Sequence, residues 1–258
     1  MPTEPWRLID RAQVPNQPEV MELVQRGEEF VLRVGGRDLM SSRMHGSEDA
    51  LADLACDQIA ESRAARILIG GLGMGFTLAA ALRRLGPDAR VVVAEFVPSV
   101  VAWNRGVLGE LAGFPLDDPR VSVHEGDVAE LIRPEASAWD AILLDVDNGP
   151  IGMTQSANDW LYGVPGLEAA FRALRHGGIL GVWSAGADAS FTRRMTRVGF
   201  DVATKDVRAR GTSGGRRHVV WMGIRPLPNQ RNARRAAAAE PASHTRKPKR
   251  KLPRKRVR

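Results

Sequence analysis

Residues 66–86 read RILIGGLGMGFTLAAALRRLG, a strand-like apolar run that passes through a glycine-rich turn into a helix-like segment. Gly71, Gly73 and Gly75 form a G-x-G-x-G pattern in this turn. Because glycine has no Cβ, these positions let a ligand approach the backbone, and they leave N–H groups pointing outward at the start of a helix. The stretch indicates either a nucleotide-type binding turn or merely a tight turn, and its surroundings decide between the two.

Strand-like and helix-like segments alternate from Arg66 onward. Such alternation predicts a mostly parallel sheet with helices on both faces, which is the Rossmann-like α/β class. We predict strands at 66–70, 91–96, 121–124, 141–145 and 179–184, with an antiparallel pair at 200–207 and 218–224 that completes seven strands. Helices are predicted at 75–85, 98–112, 127–133, 164–176 and 187–198, the fourth of them capped by Gly177-Gly178.

A shorter segment precedes the sheet. Residues 28–42 are typical of a small β-hairpin, with Gly35-Gly36 in its turn, and residues 47–61 predict a helix with Ser47 as N-cap. The chain is therefore predicted to have three parts: an N-terminal β-hairpin and helix segment over 1–62, an α/β domain over 63–228, and a disordered basic tail over 229–258.

The net charge of +7 is concentrated in the predicted tail. Residues 229–258 hold 12 of the 37 Lys/Arg residues and one of the 30 acidic residues, so residues 1–228 carry a net charge of −4. Such a tail favours contact with nucleic acid or an anionic surface, and the alternative is a solvated extension without a partner.

The remaining composition narrows the class of protein. A lone cysteine, Cys56, excludes an intrachain disulfide and a multi-cysteine zinc site, which favours a cytoplasmic location. The first residues lack the basic-then-apolar pattern of a signal peptide, and the apolar runs are strand-sized, so we expect no membrane span. The five histidines lack ligand spacing, and we expect no metal.

Acidic residues follow three successive predicted strands. Glu95 ends the second strand, 20 residues after Gly75, where a carboxylate can accept both ribose hydroxyls of a nucleoside. Asp127 follows the third strand and is either a ligand-binding residue or only a helix N-cap. Asp145 ends the fourth strand, two positions before Asp147. The carboxyl ends of parallel strands share one sheet edge, so these acids and the glycine turn are predicted to converge.

These motifs together resemble class I S-adenosylmethionine-dependent transferases, and within them the spermidine synthase (polyamine aminopropyltransferase) family. The likeness covers about residues 28–225. IGGLGMG (69–75) is similar to the family's IGGGDGG, VVVAEFVPSVV (91–101) to VxLVEIDxxVV, GDV (126–128) to its GDA or GDG turn, WDAILLDVDNGP (139–150) to YDVIIVDSSDPxGP, and GGRDLMSSRMHGSEDALADLA (35–55) to DGxxQxTxxDEFSYHExLxHxPL.

The resemblance implies a class I methyltransferase-type fold and a role for each matching residue. It implies that Gly71, Gly73 and Gly75 bind S-adenosylmethionine or its decarboxylated form as co-substrate. It places Glu95 on the ribose and Asp127 at the adenine end of that molecule. Asp145 falls on the catalytic aspartate, with Asp147 assisting, and a homodimer is implied.

Departures from the family concentrate in the half of the site that would bind an amine acceptor. Gly73 replaces an acid that helps to hold the aminopropyl amine, and Asn148 replaces the second acid of the DSSD motif. Ser47 and Glu48 stand at a Tyr-His pair, and Asp53 stands at a later histidine.

Several residues are nevertheless candidates for binding a cationic acceptor. Acids at the start of the predicted 47–61 helix could supply negative charge, or could form an ordinary solvated helix start. Aromatic residues after the fourth strand and at the end of the fifth could wall a pocket or pack in the core. The candidates are Asp147, Glu48, Asp49 and Asp53 among the acids, and Trp160, Tyr162 and Trp183 among the aromatics. Arg216 and Arg217, in the GTSGGRR loop (211–217), could meet an anionic group or form a plain hairpin loop.

Three functions remain open from the sequence. The first is aminopropyl transfer to a small-molecule amine in polyamine-type metabolism, in which Asp145 manages the proton of the amine. The second is methyl transfer on the same scaffold, which Gly73 favours. The third is a non-catalytic nucleoside-binding protein with a nucleic-acid-binding tail.

Overall fold

The computed structural model describes residues 4–146 and 158–228. The catalytic candidate Asp147, the replaced position Asn148 and the predicted basic tail over 229–258 lie outside the described residues. The chain divides into a compact unit over Met1–Pro226 and a second unit over Leu227–Arg258, and the following description concerns the first unit.

The chain begins with a four-stranded antiparallel sheet, of which the sequence predicted only the second half. Its strands are β1 (Arg7–Gln13), β2 (Val20–Arg26), β3 (Glu29–Val34) and β4 (Arg37–Ser41), paired in chain order. The predicted hairpin is β3–β4, and both glycines of its turn have the positive φ that the turn requires. The strand β1 was missed because most of its side chains are exposed, and an exposed edge strand carries no apolar alternation.

The first helix begins one residue earlier than predicted and has a different N-cap. Helix α1 spans Gly46–Gln58, and its N-cap is His45, which makes no capping hydrogen bond through its side chain. Ser47 lies inside the helix, is fully buried and donates its hydroxyl to Glu48 Oε2. The prediction of Ser47 as N-cap was wrong because this hydroxyl faces the protein interior, where a neighbouring carboxyl and a distant histidine compete for it.

The predicted seven-stranded, mostly parallel sheet is confirmed. Its order is β10-β11-β9-β8-β5-β6-β7, in which β9, β8, β5, β6 and β7 are parallel and β11 is antiparallel to both of its neighbours. The strands are β5 (Arg66–Gly70), β6 (Arg90–Glu95), β7 (Val121–Glu125), β8 (Trp139–Leu144), β9 (Leu174–Ser184), β10 (Asp201–Arg208) and β11 (Arg217–Ile224). The helices are α2 (Phe76–Arg84), α3 (Pro98–Arg105), α4 (Val128–Ile132), α5 (Asn158–Tyr162), α6 (Val164–Ala173) and α7 (Ala189–Val198).

Two predicted helices are shorter in the structure. The segment 98–112 divides at Gly106 into α3 and a 3₁₀ turn over Gly109–Ala112. Gly177-Gly178 does not cap α6, because the chain turns directly into β9 at Leu174 and both glycines lie within that strand. A Cβ on Gly178 would lie 3.0 Å from the carbonyl oxygen of Asp140, so these glycines serve the close, irregular pairing of β8 with β9.

The order of the strands determines where a ligand can bind. The chain adds β6 and β7 on one side of β5, and then β8 and β9 on the other side. The order in which strands are added therefore reverses between β5 and β8. In open α/β sheets, the crevice beyond the carboxyl ends of two such strands is the usual ligand site. Side chains of the N-terminal sheet, including Leu23 and Leu32, belong to the same apolar core as α1, α2 and α3, which brings that sheet close to the crevice.

Candidate functional site

The glycine turn follows β5 and lies against the end of β8. Gly71, Gly73 and Gly75 all have positive φ, at 89°, 52° and 82°, and the N–H of Gly71 donates to the carbonyl oxygen of Ala94 on β6. A Cβ on Gly71 would lie only 2.3 Å from the carbonyl oxygen of Asp145. Glycine is therefore required at position 71 both by backbone conformation and by the closeness of the next strand.

Replacing Gly71 with alanine is expected to destabilise the protein more than the same change at Gly113. Both glycines have positive φ, but a Cβ at Gly113 would have no atom within 4 Å. Gly113→Ala should cost about 1–2 kcal/mol from backbone strain alone. Gly71→Ala should cost a further 1–3 kcal/mol, roughly, because of overpacking against Asp145. Denaturant unfolding measures both changes, and equal losses would contradict the proposed crowding.

Glu95 lies at the end of β6, where the residue is 7% exposed and its carboxylate is anchored on both sides. The N–H of Leu72, in the glycine turn, donates to Oε2 at 2.8 Å, and the N–H of Val97 donates to Oε1 at 2.9 Å. The side chain is therefore held in place by the backbone, with its carboxylate beside the carboxyl end of β6.

A cavity of about 160 Å³, here called the nucleoside cavity after the ligand that the sequence predicts, lies beside Glu95. Its apolar wall comes partly from the N-terminal sheet and its β1–β2 loop, including Val14, Met21 and Val34, and partly from the α/β domain, and its carboxylates lie at the strand ends. The predicted residues that line this cavity are Gly71, Gly73, Glu95, Asp127 and Asp145.

Asp127 is the helix N-cap that the sequence left open, and its ligand-binding role stays a prediction. Its carboxylate caps α4 by accepting the N–H of Ala129 at 2.9 Å, and the residue also lines the nucleoside cavity. Gly75 has a different role, because it is the N-cap of α2 and packs against Asn104 and Pro115 rather than lining the cavity.

Asp145 lies immediately after β8, where its side chain accepts a hydrogen bond from the Thr77 hydroxyl at 2.6 Å. Its backbone N–H donates to the carbonyl oxygen of Gly70, which fixes the residue to the end of β5. Burial raises the pKa of Asp145 to about 6, against the hydrogen bond from Thr77, which lowers it. The group therefore combines a fixed position with a pKa suited to proton exchange near neutral pH.

A second cavity of about 520 Å³, here called the acceptor cavity, opens on the other side of Asp145. Asp145, Gly73, Leu32 and Leu39 line both cavities, so Asp145 stands at their junction. The polar and aromatic residues around the acceptor cavity are Trp6, Arg26, Glu29, Asp38, Ser41, Glu48, Asp145, Trp183, Arg216 and His218.

Glu48 reaches the acceptor cavity from α1 and is only 6% exposed. Burial, and then the negative charge of Asp145, raises the pKa of Glu48 to about 8. Ser47 Oγ lies 2.5 Å from Glu48 Oε2 and 2.9 Å from His218 Nδ1, so the three side chains form a hydrogen-bonded row. Burial also lowers the pKa of His218, with a contribution from Arg216.

The three candidate aromatic residues lie in different places in the structure, and one of them lines a cavity. Trp183 lines the acceptor cavity and meets the His218 ring edge-on, with 4.7 Å between the ring centroids. Trp160 lies beneath the guanidinium of Arg133, and Tyr162 is buried against Phe191. Among the described residues that line the two cavities, neither Trp160 nor Tyr162 is present.

Tyr162 is nevertheless close to the site, because its hydroxyl donates to the carbonyl oxygen of Val146 at 3.2 Å. Val146 follows Asp145 directly and lines the nucleoside cavity. Tyr162 thus holds the backbone beside Asp145 and does not wall the acceptor cavity as the sequence suggested.

The structure corrects the placement of Asp53. Its side chain is 49% exposed and lies 3.5 Å from Arg84, on the side of α1 that faces α2 and outside both cavities. Five residues of α-helix turn through about 500°, which leaves Asp53 roughly 140° from Glu48 around the helix. The two acids cannot face the same cavity. Asp49 also turns away, since it pairs with His45 and Arg83.

Sequence reasoning missed the contribution of the N-terminal sheet to the site. Arg26 and Glu29 form an ion pair at 3.3 Å at the β2–β3 turn, and both line the acceptor cavity. The guanidinium of Arg26 also lies 4.3 Å from the centre of the Trp6 ring. The charge spacing across this turn is visible in the sequence, but only the pairing of β2 with β3 shows which cavity it faces.

Two further expectations concern metals and membranes. Within residues 4–146 and 158–228, no three His, Cys, Asp or Glu side chains are grouped as a metal would require. Among the helices described in these ranges, none has the length and apolar character needed to cross a membrane.

Comparison with known proteins relates this arrangement to the polyamine synthases. No known family model matches the chain. It is 35% identical to a spermine synthase of Arabidopsis thaliana over 117 residues, which cover 44% of this chain and 30% of that protein. The chain thus spans less than a third of the length of this curated relative.

Solved structures with the same fold cover most of the chain. A spermidine synthase from Thermotoga maritima superposes with a TM-score of 0.67 and 18% identity, over 87% of this chain and 75% of that one. A spermidine synthase in complex with the transition state analogue AdoDATO has a TM-score of 0.66 and 17% identity, over 87% of this chain and 75% of that one. A probable spermidine synthase from Corynebacterium glutamicum has a TM-score of 0.54 and 17% identity, over 87% of this chain and 81% of that one. The chain is therefore spermidine-synthase-like in fold, and over 117 residues it is similar in sequence to a spermine synthase.

Proposed function

We propose that the protein is a transferase that binds a sulfonium nucleoside, S-adenosylmethionine or its decarboxylated form, and transfers an alkyl group to an amine. We take aminopropyl transfer from the decarboxylated form as the leading reaction. The observation that carries this proposal is the position of Asp145 at the junction of the nucleoside and acceptor cavities. The names of the related proteins, spermine synthase and spermidine synthase, agree with it.

The residues of the nucleoside cavity fit such a co-substrate. Glu95 is anchored by two backbone N–H groups and lines the cavity, where we expect it to bind the ribose, and we expect Asp127, on the same cavity, to bind the adenine end. Gly71 and Gly73 line the cavity and, having no Cβ, leave the backbone of the turn open to a ligand. A sulfonium supplies a carbon that already bears a good leaving group.

The protein's own contribution is then alignment and proton transfer. An amine that is protonated in water must lose a proton before its nitrogen can attack. Asp145, in its carboxylate form, accepts that proton at the junction, while Thr77 holds the carboxylate in position. The new C–N bond forms as the C–S bond breaks, and the electron pair of that bond stays on sulfur.

Methyl transfer is the second candidate, and Gly73 is the observation that favours it. This glycine turn offers no carboxylate to an aminopropyl ammonium, and a Cβ at Gly73 would lie 3.0 Å from the sulfur of Met40. A protein that methylates would bind the full carboxylated nucleoside in preference.

Titration calorimetry with both sulfoniums tests the leading reaction. We expect decarboxylated S-adenosylmethionine to bind at least about 10-fold more tightly than S-adenosylmethionine, because the latter adds a carboxylate close to Asp145. Tight binding of S-adenosylmethionine with weak binding of the decarboxylated form would favour methyl transfer instead. If neither sulfonium binds, both the aminopropyl and the methyl transfer reactions are excluded.

We also propose three properties that extend this function. The lone buried Cys56 is compatible with a cytoplasmic location, and the family resemblance suggests a homodimer. The twelve basic residues of 229–258 suggest contact with nucleic acid or an anionic surface. Cell fractionation tests the location, and the mass of the particle in solution tests the homodimer. Salt-dependent binding of DNA tests the role of the basic tail.

A further inference from the structure

The acceptor cavity has fewer free negative charges than its acidic residues suggest. The carboxylate of Glu29 is already bound by Arg26 at 3.3 Å, by Arg43 at 3.6 Å and by the Ser41 hydroxyl at 2.9 Å. Asp38 is paired with Arg33 at 2.6 Å. These two acids are therefore neutralised by neighbouring guanidinium groups before any ligand arrives.

Glu48 adds little negative charge at neutral pH. It is buried beside Asp145, and burial raises its pKa to about 8, so the carboxyl group is mainly protonated at pH 7. It then acts as a hydrogen-bonding group toward the cavity. Asp145 is thus the one described carboxylate of the acceptor cavity that combines negative charge with freedom from an arginine partner.

A positive charge stands at another part of the wall. Arg216 lines the acceptor cavity, and among the side chains of residues 4–146 and 158–228 no carboxylate forms an ion pair with it. Its charge acts on the neighbouring His218, whose pKa it helps to lower. The neutral His218 cannot serve as a counterion, so the guanidinium remains available to a ligand.

The loop that carries Arg216 is held in place by backbone hydrogen bonds. The N–H of Ala209 donates to the carbonyl oxygen of Arg216 at 3.0 Å, and the N–H of Gly46, at the start of α1, donates to the carbonyl oxygen of Ala209 at 2.8 Å. The loop also packs tightly on that helix, because a Cβ on Gly46 would lie 2.2 Å from the nitrogen of Gly211. The backbone of Arg216 is therefore fixed at the cavity wall, while its side chain, like that of Arg217, is exposed.

Trp183 forms an aromatic part of the same wall, beside His218. The residue lines the acceptor cavity, is 8% exposed, and its buried indole Nε1–H has no hydrogen-bond partner among the described residues. This nitrogen has almost no accessible surface, so it does not face the cavity, and only the ring of Trp183 borders it. Its ring contacts His218, the neighbour of Arg216.

We propose that the acceptor is an aminocarboxylate, with its amine at Asp145 and its carboxylate at Arg216. This inference rests on the proposed function and names the class of its acceptor. A diamine would bring its second ammonium group toward Arg216, where like charges repel. An aminocarboxylate instead brings an ammonium group to the negative Asp145 and a carboxylate to the positive Arg216.

Two acceptors with the same four-carbon length test this proposal: 4-aminobutyrate, which ends in a carboxylate, and putrescine, which ends in an ammonium group. Calorimetry is performed on the full chain saturated with 5′-methylthioadenosine, which occupies the nucleoside cavity without reacting. We expect 4-aminobutyrate to bind at least about 10-fold more tightly than putrescine, since a charge-assisted hydrogen bond contributes roughly that much.

Arg216→Gln and Arg217→Gln form a matched pair of variants. Arg217 is exposed and adjacent, but it faces Arg208 across the β10–β11 hairpin and does not line the acceptor cavity. Arg216→Gln should weaken 4-aminobutyrate binding by at least about 10-fold and leave putrescine binding unchanged or tighter, whereas Arg217→Gln should behave as the wild type.

The failure of this inference differs from the failure of the proposed function. Tighter binding of putrescine than of 4-aminobutyrate, no binding of 4-aminobutyrate, or equal effects of the two variants would overturn the aminocarboxylate acceptor. Each of these results leaves nucleoside binding intact. The loss of 5′-methylthioadenosine binding by the wild-type protein itself would instead overturn the proposed function.

Discussion

Replacing Asp145 with asparagine is expected to lower the turnover number by at least about 100-fold while nucleoside affinity stays within about twofold of the wild type. Asparagine keeps the shape of the side chain, and its oxygen can still accept the Thr77 hydroxyl, but it cannot take a proton from an amine. Steady-state kinetics gives the first quantity and calorimetry with 5′-methylthioadenosine gives the second. Full turnover by Asp145→Asn would remove this residue from the reaction.

The control for this experiment is Asp53→Asn, because Asp53 is an acid of the same type that faces Arg84 outside both cavities. We expect this variant to retain wild-type turnover. If both variants lose turnover equally, a general effect of removing negative charge would explain the result better than proton transfer at Asp145.

The pH dependence of the wild type follows from the same group. Burial raises the pKa of Asp145 to about 6, and only its carboxylate form accepts a proton. Turnover should therefore fall as pH decreases through this value. Glu48, whose pKa is raised to about 8, is protonated below that pH and does not compete for the proton of the amine.

The half of the site that lies on the parallel sheet could be predicted from sequence. Gly71, Glu95, Asp127 and Asp145 each follow a strand whose short apolar run is visible locally. Once those strands are parallel, their carboxyl ends share one edge, and the convergence of the four residues follows from topology alone. The resemblance to the spermidine synthase family depends on the same local motifs and predicts a site at the same edge of the sheet.

The acceptor half depends on contacts between residues that are distant in sequence. His218 lies beside Ser47 although 171 positions separate them, and Arg26 reaches the cavity only through the pairing of β2 with β3. Nothing local to Ser47 distinguishes a buried hydrogen-bonding serine from an N-cap. Likewise, the charge state of Glu48 follows from burial, which a single sequence does not reveal.

Position-by-position transfer from a family also has a geometric limit, and Asp53 illustrates it. The family resemblance assigns this acid to an acceptor-binding position, but the helix on which it lies turns it toward α2. A side chain on a helix can serve a cavity only if its angle around the helix axis is right. That angle depends on where the helix packs, which the motif does not contain.

Glu95→Gln is expected to weaken nucleoside binding by about 100-fold. The carboxylate holds the glycine turn through the N–H of Leu72 and the start of the next loop through the N–H of Val97. A glutamine has one oxygen and one NH₂ group, so one of these backbone donors would face another donor. The negative charge that would attract two ribose hydroxyls is also lost, and hydrogen bonds to charged groups contribute about 1.5–3 kcal/mol each.

Glu125→Gln is the matched control for this effect, since Glu125 ends the neighbouring strand β7 and pairs with Glu95 in register, but it is exposed and outside the nucleoside cavity. Its affinity for 5′-methylthioadenosine should equal that of the wild type. Circular dichroism must show that Glu95→Gln retains its helices and strands, because part of the loss otherwise reflects unfolding. Equal affinities for the two folded variants would exclude Glu95 as the residue that holds the ribose, and the nucleoside cavity would then need another anchor.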